Sequence, residues 1–444
     1  MIPPERSALL TDLYALTMLQ AYFEHGMIDT AVFEFFVRRL PPGRNFLLAA
    51  GLEQALEFLE TLRFSDAELE WVRGSGKFSR ELADQLARFR FQGDVHAMPE
   101  GTVFFANEPI LRITAPMPQA QFVECRLINI LHLQTLIASK AARSVLAAPG
   151  KLLVDFGLRR AHGAEAGLMA ARAAYIAGFA GSSNVLASAL FGIPAFGTMA
   201  HSFIEAYDDE AAAFEGFART HPQNTTLLID TYDTEAAAHK VVALAHKLRS
   251  SGIAVRAVRI DSGDLGAHAK AVRAILDAGG WREIRIFASG SLDEYALRDL
   301  IARGAPIDGF GVGTHLDTSS DAPFLDCAYK LQEYAGRARR KRSIGKATWP
   351  GRKQVFRRYD NAISSADILT LETDAQEGEA LIKPVMRAGK RLAAAESLEN
   401  IRARAAEQLA RLPAELRSLH DAPPYPVTAA PALRALAEAV DARR

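Results

Sequence analysis

VRIDSGD, residues 258–264, lies between two segments of different character. The run before it, Ile253–Ile260, is apolar and rich in β-branched residues, and the run after it, Leu265–Ala278, has helical spacing. The pattern predicts a strand that ends in the polar group Asp261–Asp264, where parallel α/β folds bind ligands. Two carboxylates, a hydroxyl and a glycine suit a sugar that carries phosphates and a metal ion. Asp and Ser also cap helices for backbone reasons alone, and that alternative stays open.

The same arrangement recurs from Lys151 onward. Seven short apolar runs each end in a cluster of small or polar residues: Leu152–Phe156, Ala174–Phe179, Ile193–Phe196, Thr226–Ile229, Ile253–Ile260, Ile284–Phe287 and Ile307–Phe310. Such alternation of strands and helices predicts a parallel β/α barrel with its site at the carboxyl ends of the strands. The short interval between Asn184 and Ile193 predicts that the barrel is irregular.

The chain of 444 residues is long enough for about two or three domains. Residues 1–145 mix helices with a small sheet, which predicts an N-terminal α/β domain. Residues 146–331 form the predicted TIM-like barrel with the active site. Residues 332–444 make too small a core on their own, so we expect this C-terminal extension to pack back on the N-terminal domain.

The bulk composition narrows the class of protein. Acidic and basic residues balance at 52 each, which gives no support to nucleic acid or a membrane as the main partner. The two cysteines, Cys125 and Cys327, argue against a disulfide framework or a cysteine-based zinc site. Ser7–Phe23 lacks the features of a secretory signal. We therefore expect a soluble protein of the reducing cytoplasm.

Two glycine-containing loops, Ser289–Ser291 and Gly311–Thr314, follow successive predicted strands late in the barrel. Their backbone amides can approach a phosphate closely, as in the usual barrel phosphate site, although each loop could also be only a tight turn. Asp261 and Asp264 could hold ribose hydroxyls or Mg²⁺. Further candidates are Phe156 and Tyr14 to stack on a flat ring, Arg159, Arg160 or Arg259 to meet an acid group, and Arg38 to bind phosphate. Common hydrolase, zinc protease, dehydrogenase and kinase motifs are not found in the sequence.

Several segments together resemble the nicotinate phosphoribosyltransferase family. The matching segments are LLTDLYALTM (9–18), FEFFVRRLP (33–41), FGLRRAHG (156–163), GSSNV (181–185), FGTMAHSF (196–203), VRIDSGDL (258–265), ASGSLDE (288–294), GFGVGT (309–314) and GKATWPGRKQVFR (345–357). FGTMAHSF and VRIDSGD in this order are highly specific. The resemblance implies the type II phosphoribosyltransferase fold, normally a homodimer, and a role in NAD biosynthesis from nicotinate.

The implied reaction joins nicotinate to 5-phosphoribosyl 1-diphosphate (PRPP) and releases diphosphate. The pyridine nitrogen has a free lone pair, so no general base is needed, and the protein must position the reactants and stabilise charge. ATP is the implied co-substrate, consumed through phosphorylation of His201, and Mg²⁺ the implied cofactor. A lone histidine after a strand is more often a simple structural group, which is the alternative for His201.

The resemblance and the residue patterns together assign a role to each candidate. The candidates for catalysis are His201, Asp261 and Arg259. The candidates for nicotinate binding are Tyr14, Phe156, Arg159, Thr198 and Arg259. The candidates for PRPP binding are Arg38, Ser262, Gly263, Asp264, Ser289, Gly290, Gly311, Gly313 and Thr314. The candidates for Mg²⁺ are Asp261 and Asp264.

Three other functions stay open at this stage. The nearest is the same reaction on nicotinamide, since sequence order does not fix how close an arginine lies to the ring. Quinolinate phosphoribosyltransferase shares the fold, but it would need a more basic pocket and no phosphohistidine. A catalytically inactive barrel that acts as a ligand sensor belongs to a different class, and the presence of His201, both aspartates and both glycine loops counts against it.

Overall fold

A computed structural model describes residues 7–443 of the chain. The fold separates into two compact units. One is continuous and comprises Lys140–Asp321, and the other is discontinuous and combines the residues up to Ser139 with those from Ala322 onward. No helix among residues 7–443 has both the length and the apolar character needed to cross a bilayer.

The N-terminal part of the discontinuous unit contributes helices and antiparallel strands, and its last helix runs on into the other unit. These elements are α1 (Leu13–Glu24), β1 (Thr30–Val37), β2 (Leu47–Leu48), α2 (Leu52–Thr61), α3 (Asp66–Gly74), α4 (Arg80–Ala87), β3 (Asp94–Ala97), β4 (Val103–Phe104), β5 (Pro109–Pro116), α5 (Met117–Phe122) and α6 (Glu124–Ala147).

The continuous unit alternates strands with helices. Its elements are β6 (Leu152–Asp155), α7 (Ala164–Ala177), β7 (Gly181–Ser182), α8 (Val185–Phe191), α9 (His201–Glu205), α10 (Glu210–Thr220), β8 (Thr225–Leu228), α11 (Thr234–Arg249), β9 (Val255–Ile260), α12 (Leu265–Ala278), β10 (Arg285–Ser289), α13 (Glu294–Ala302), β11 (Gly309–Val312) and α14 (Thr314–Asp317). A 3-10 turn, Leu158–Arg160, follows β6.

The C-terminal part of the discontinuous unit adds mostly strands. Its elements are β12 (Cys327–Tyr334), β13 (Arg337–Ala338), β14 (Lys353–Asp360), β15 (Ile363–Leu371), β16 (Glu379–Ala380), β17 (Lys383–Arg387), β18 (Lys390–Arg391), α15 (Leu398–Ala410), β19 (Val427–Ala429) and α16 (Pro431–Ala442).

Strands from both ends of the chain build the main sheet of the discontinuous unit, in the order β13-β12-β1-β5-β3-β17-β18. β1 pairs antiparallel with β12 on one side and β5 on the other. Seven of its eight residues are buried, because both faces of this central strand are covered. A second sheet, β16-β14-β15-β19, and the short pair β2-β4 complete the strands.

The continuous unit contains one parallel sheet with the order β7-β6-β11-β10-β9-β8. Because the strands are parallel, all their carboxyl ends lie along one edge. The predicted α/β class is confirmed, and the strands predicted near residues 152, 226, 253, 284 and 307 are present. Within residues 7–443 no backbone ladder joins the two outer strands β7 and β8, so these strands do not close a complete barrel by pairing.

Two of the seven predicted strands are wrong. Ala174–Phe179 was expected to be a strand, but Ala174–Ala177 is the end of α7, because alanine favours helix strongly enough to outweigh the apolar run. The strand at this point is the two-residue β7. Ile193–Phe196 forms only one isolated parallel bridge, from Ala195 to Ser182, next to a proline that has no N–H to donate.

Candidate active site

Arg259 is the centre of the polar network at the carboxyl edge of the parallel sheet. Its guanidinium donates from Nε to Ser289 Oγ (2.8 Å), from one terminal nitrogen to Thr198 Oγ1 (3.1 Å) and from the other to Asp261 Oδ1 (2.6 Å). Ser289 ends β10, Asp261 follows β9, and Thr198 lies in the segment between the isolated bridge at Ala195 and α9. Three of the five N–H groups of an arginine are thus used, and two remain for a ligand.

The Phe156 ring lies beside this guanidinium. The Arg259 Cζ atom is 5.2 Å from the ring centroid, a distance at which a cation is attracted to an aromatic face. Gly311 gives the ring its space, because a Cβ on that residue would lie 2.5 Å from the ring. Gly313 likewise lies against the backbone oxygen of Phe156, with 2.8 Å to an added Cβ. The two glycines are therefore required for the placement of the ring.

Asp261 is a half-buried carboxylate held by two donors, Arg259 and the hydroxyl of Ser289. Burial alone would raise its pKa, but the hydrogen bonds from Ser289 and Arg259, together with the charge of His201, lower the pKa overall. The carboxylate is therefore ionised at neutral pH. Gly290 packs on the same residue: it has φ of +100°, and a Cβ there would lie 2.0 Å from the Asp261 carbonyl oxygen.

His201 begins α9 and is half-buried. Its Nδ1 lies 3.1 Å from the Thr231 hydroxyl, on the loop that follows β8. The contact fixes the orientation of the imidazole and leaves Nε2 as the nitrogen without a hydrogen bond from residues 7–443. His201 also lies close enough to Asp261 to help lower the pKa of that carboxyl. The histidine therefore belongs to the same cluster as Arg259.

Asp230 is a site residue that sequence reasoning did not select. One of its carboxylate oxygens, Oδ2, accepts from the backbone N–H of Asp261 (2.9 Å) and the hydroxyl of Ser262 (2.6 Å). The other, Oδ1, is buried and receives no hydrogen bond from residues 7–443. A signal existed in the sequence, because Asp230 lies two residues after the end of strand β8, much as Asp261 directly follows β9.

The rest of the VRIDSGD loop has local roles in the structure. Asp264 is the N-cap of α12, and its Oδ1 accepts from the N–H groups of Gly266 and Ala267, each at 3.1 Å. This is the capping alternative that the sequence left open, and the residue is also exposed. Gly263 has φ of +74°, and a Cβ there would meet the His268 ring at 2.6 Å.

Three predicted residues lie at the margins of this cluster. Arg159 is exposed in the 3-10 turn that follows Phe156, and Thr314 is exposed at the first position of α14, after the glycine loop. Ser262 is exposed and points its hydroxyl at Asp230. The continuous unit thus brings together Phe156, Thr198, His201, Arg259, Asp261, Ser262, Ser289, Gly290, Gly311 and Gly313 through direct or shared contacts.

Tyr14 and Arg38 belong to the discontinuous unit. The Tyr14 hydroxyl lies 3.1 Å from Glu124 Oε2 and 3.4 Å from Cys125 Sγ, and partial burial with these neighbours raises the pKa of Tyr14. Arg38 forms an ion pair with Asp326 at 2.8 Å. Arg38 also lines a cavity of about 700 Å³ together with Arg39, Arg44, Trp349 and Tyr425, among other residues.

The carboxylates at the strand ends fit Mg²⁺ only if a ligand completes its coordination shell. Among residues 7–443 no group of three or more His, Cys, Asp or Glu side chains is placed to hold a metal by itself. Magnesium needs only one or two carboxylates when substrate phosphates complete its shell. Asp261 and the unpartnered Oδ1 of Asp230 meet that requirement, whereas Asp264 already uses one oxygen as a helix cap.

Polar side chains that meet at the carboxyl edge of a parallel sheet place the protein in the broad class of ligand-binding α/β proteins. Comparison with known proteins narrows the class. Models of the nicotinate phosphoribosyltransferase (NAPRTase) family match three ranges: the N-terminal domain over residues 9–132, the family model over 152–336 and the C-terminal domain over 373–437. The chain therefore belongs to the nicotinate phosphoribosyltransferase family.

Individual relatives agree with this assignment. A nicotinate phosphoribosyltransferase of Mycobacterium tuberculosis is 52% identical over 415 residues, which cover 93% of this chain and 89% of that protein. One from Bacillus subtilis is 39% identical over 373 residues, covering 82% and 76%. The crystal structure of human nicotinic acid phosphoribosyltransferase is similar with a TM-score of 0.87 at 28% identity, covering 97% of this chain and all of that one.

Proposed function

We propose that the chain transfers the phosphoribosyl group of PRPP to nicotinate, forming nicotinate mononucleotide and diphosphate in the synthesis of NAD. The observation that carries the proposal is the Arg259 guanidinium, fixed on three sides next to the Phe156 ring with two N–H groups left over. A pyridine ring can stack on Phe156 while its carboxylate accepts from Arg259. Arginine binds a carboxylate more strongly than a neutral amide, which favours nicotinate over nicotinamide.

The chemistry requires positioning more than proton transfer. The bond from C1 of the ribose to the diphosphate oxygen breaks ahead of bond formation, and diphosphate leaves with the electron pair. Positive charge therefore develops on the sugar before the lone pair of the pyridine nitrogen forms the new bond to C1. The ionised Asp261 is the group that can stabilise this positive charge. Mg²⁺ would be held by Asp261 and Asp230 and would help diphosphate to leave. The glycine loops at Gly290 and Gly313 offer backbone N–H groups to the phosphates.

We further propose that ATP phosphorylates His201. The γ-phosphoryl group passes from ATP to the Nε2 atom, ADP leaves, and later hydrolysis of the phosphohistidine releases phosphate. The support is the contact between Nδ1 and Thr231, which presents Nε2 as the unengaged nitrogen. A phosphoryl group would add roughly −1.5 to −2 charge beside Asp261 and Asp230. We expect that charge to reposition the strand-end loops and to tighten PRPP binding.

The proposal also covers fold, assembly and location. We expect the irregular barrel of the type II phosphoribosyltransferases, a homodimer and a cytoplasmic location. The family membership of the chain supports each of these features. Size-exclusion chromatography with light scattering tests the dimer directly.

A product assay tests the main proposal. Purified protein is incubated with PRPP, Mg²⁺ and either nicotinate or nicotinamide, with and without ATP, and the mononucleotide is measured by chromatography and mass spectrometry. We expect nicotinate mononucleotide, with much less product from nicotinamide. If nicotinamide gave product and nicotinate did not, the protein would be a nicotinamide phosphoribosyltransferase. If neither base gave product, a ligand sensor would be favoured.

A labelling experiment tests the role of His201. Protein incubated with ATP labelled in the γ-phosphate should carry label that is lost in acid but stable in base, as expected of a phosphohistidine. His201→Ala should lose both the label and the stimulation by ATP. The matched control is His239→Ala, which removes an exposed histidine of α11 and should keep both. Full ATP stimulation in His201→Ala would disprove this part of the proposal.

A further inference from the structure

Two carboxyl groups meet underneath the loop that carries Phe156. Asp155, the last residue of β6, is fully buried; its Oδ1 accepts from the backbone N–H of Gly157 (2.7 Å) and its Oδ2 from the hydroxyl of Ser182 (2.6 Å). Asp317, the last residue of α14, is 3% exposed. Its carboxyl lies directly against Gly157, because a Cβ on that glycine would be 2.2 Å from Asp317 Cγ and 2.5 Å from each oxygen.

The two acids differ in their hydrogen-bond partners. Both oxygens of Asp317 are buried and receive no N–H or O–H hydrogen bond from residues 7–443. The polar group that Asp317 does face is the carboxyl of Asp155. Two adjacent carboxylates cannot both be ionised away from water, so they share a proton. Asp155 has two donors that favour its anion, so the proton resides on Asp317, which donates to Asp155.

The surroundings of the pair support this assignment. Burial and the charge of Asp155 raise the pKa of Asp317 well above its ordinary value. The 3-10 turn 158–160 and α7 make the main element contacts to α14. Their charged residues are Arg159, Arg160, Glu165 and Arg172, and α14 itself carries His315. Among residues 7–443, Asp155 is the charge that shifts the Asp317 carboxyl.

The pair lies between two parts of the candidate site. Asp155 and Gly157 flank Phe156 in the chain, so they fix the ring that lies beside Arg259. Asp317 donates its backbone N–H to the carbonyl of Gly313 (3.1 Å), at the end of the second glycine loop. We propose that Asp317 is a positioning residue: in its acid form it ties the loop that carries Phe156 to the glycine loop that ends at Gly313. This inference rests on the proposed function, since it assigns the two loops to nicotinate and phosphate.

The acid form is present below the raised pKa and is lost as the pH rises through it. Two buried anions would then repel each other and separate the loops, so KM should rise at alkaline pH. Asp317→Asn keeps a neutral donor to Asp155 and cannot ionise. Asp317→Ala removes the donor altogether and leaves Asp155 without its partner.

The test compares both variants with Asp299→Asn, a control that removes an exposed carboxylate of α13. Steady-state KM and kcat for nicotinate and PRPP are measured across the alkaline range. Asp317→Ala should lose about tenfold in kcat/KM at neutral pH, the scale of one lost buried hydrogen bond, mainly through KM. Asp317→Asn should recover most of that loss and show no alkaline rise in KM, whereas Asp299→Asn should keep the wild-type profile.

A second measurement does not depend on activity. The infrared difference spectrum of wild type minus Asp317→Asn should contain the C=O stretch of a protonated carboxylic acid at neutral pH. Absence of that band, or equal impairment of Asp317→Asn and Asp317→Ala, would overturn the inference. An inactive wild-type enzyme would instead be a failure of the proposed function, and the infrared result would then still decide whether the proton is shared.

Discussion

Replacing Arg259 by lysine keeps the positive charge at the candidate site but removes the forked geometry of the guanidinium. The wild-type side chain bonds to Thr198, Ser289 and Asp261 at once and lies beside Phe156. A single ammonium can keep the bond to Asp261 but cannot also reach the other two partners from the same position. We therefore expect Arg259→Lys to misplace the cation that meets the substrate carboxylate.

The magnitude follows from the contacts that are lost. A hydrogen bond that involves a charged group contributes roughly 1.5–3 kcal/mol, and two such bonds are removed. Part of that loss is recovered when the freed hydroxyls bind water, so a net loss of about 3 kcal/mol, or roughly a hundredfold in kcat/KM, is expected. The loss should appear chiefly as a higher KM for nicotinate, because Arg259 is proposed to bind the substrate in the ground state as well.

The assay is steady-state kinetics with nicotinate varied at saturating PRPP. Arg256→Lys is the matched control, because Arg256 lies on the same strand but is exposed. The control should keep kcat/KM within about twofold, since surface substitutions are usually nearly neutral. If kcat/KM of Arg259→Lys and of the control both stayed within about threefold of the wild-type value, the three hydrogen bonds that fix the guanidinium would have no role in substrate binding.

The remaining predictions concern stability. Gly290→Ala should lower the midpoint of urea unfolding more than Gly280→Ala, because both glycines have positive φ but only the former would place a Cβ against the Asp261 carbonyl; equal effects would argue against the close approach. Glu294→Gln should cost about 3–5 kcal/mol of unfolding free energy, because it removes the carboxylate that pairs with the buried Lys140 at 2.6 Å. The pKa of Glu294 is lowered: burial would raise it, but the charge and hydrogen bond of Lys140, together with the hydrogen bond from Arg143, outweigh burial. The contribution of the Glu294 carboxylate to the free energy of unfolding should therefore be present above the ordinary glutamate pKa and be lost as the pH falls through the lowered pKa. Acid titration of the unfolding free energy should show this dependence in the wild type and not in Glu294→Gln.

The strands of the parallel sheet were predictable where local chemistry dominates. β8, β9, β10 and β11 are short runs with β-branched or aromatic residues, each closed by a polar or glycine-containing cluster, and these signals need no knowledge of the fold. The prediction failed at Ala174–Phe179, where helix propensity competed with the apolar pattern. Closure of the sheet was not predictable either, because it depends on pairing between its two outermost strands.

The antiparallel sheet shows a second limit. β12 pairs with β1, and β17 pairs with β3, although nearly three hundred residues separate the partners. Local periodicity contains no information on such pairing. Among the clustered residues, Arg259 and Asp261 could be selected from the sequence because they lie two positions apart at the end of one strand, whereas Asp317 could not, because its partner Asp155 is near only in the folded chain.

The charges at the strand ends explain why a cation is expected at this site. Arg259 is already paired with Asp261, and Asp230 adds a second carboxylate from the loop that follows the neighbouring strand β8. PRPP, the proposed donor, brings several negative charges to the same edge of the sheet. Carboxylates and phosphates repel each other unless a cation lies between them, and a divalent ion that both can coordinate converts the repulsion into binding. Asp230 Oδ1 is buried without a hydrogen bond from residues 7–443, which would be costly if no cation ever bound there. A bound divalent cation explains this unpartnered oxygen, whereas a purely structural role for Asp230 does not.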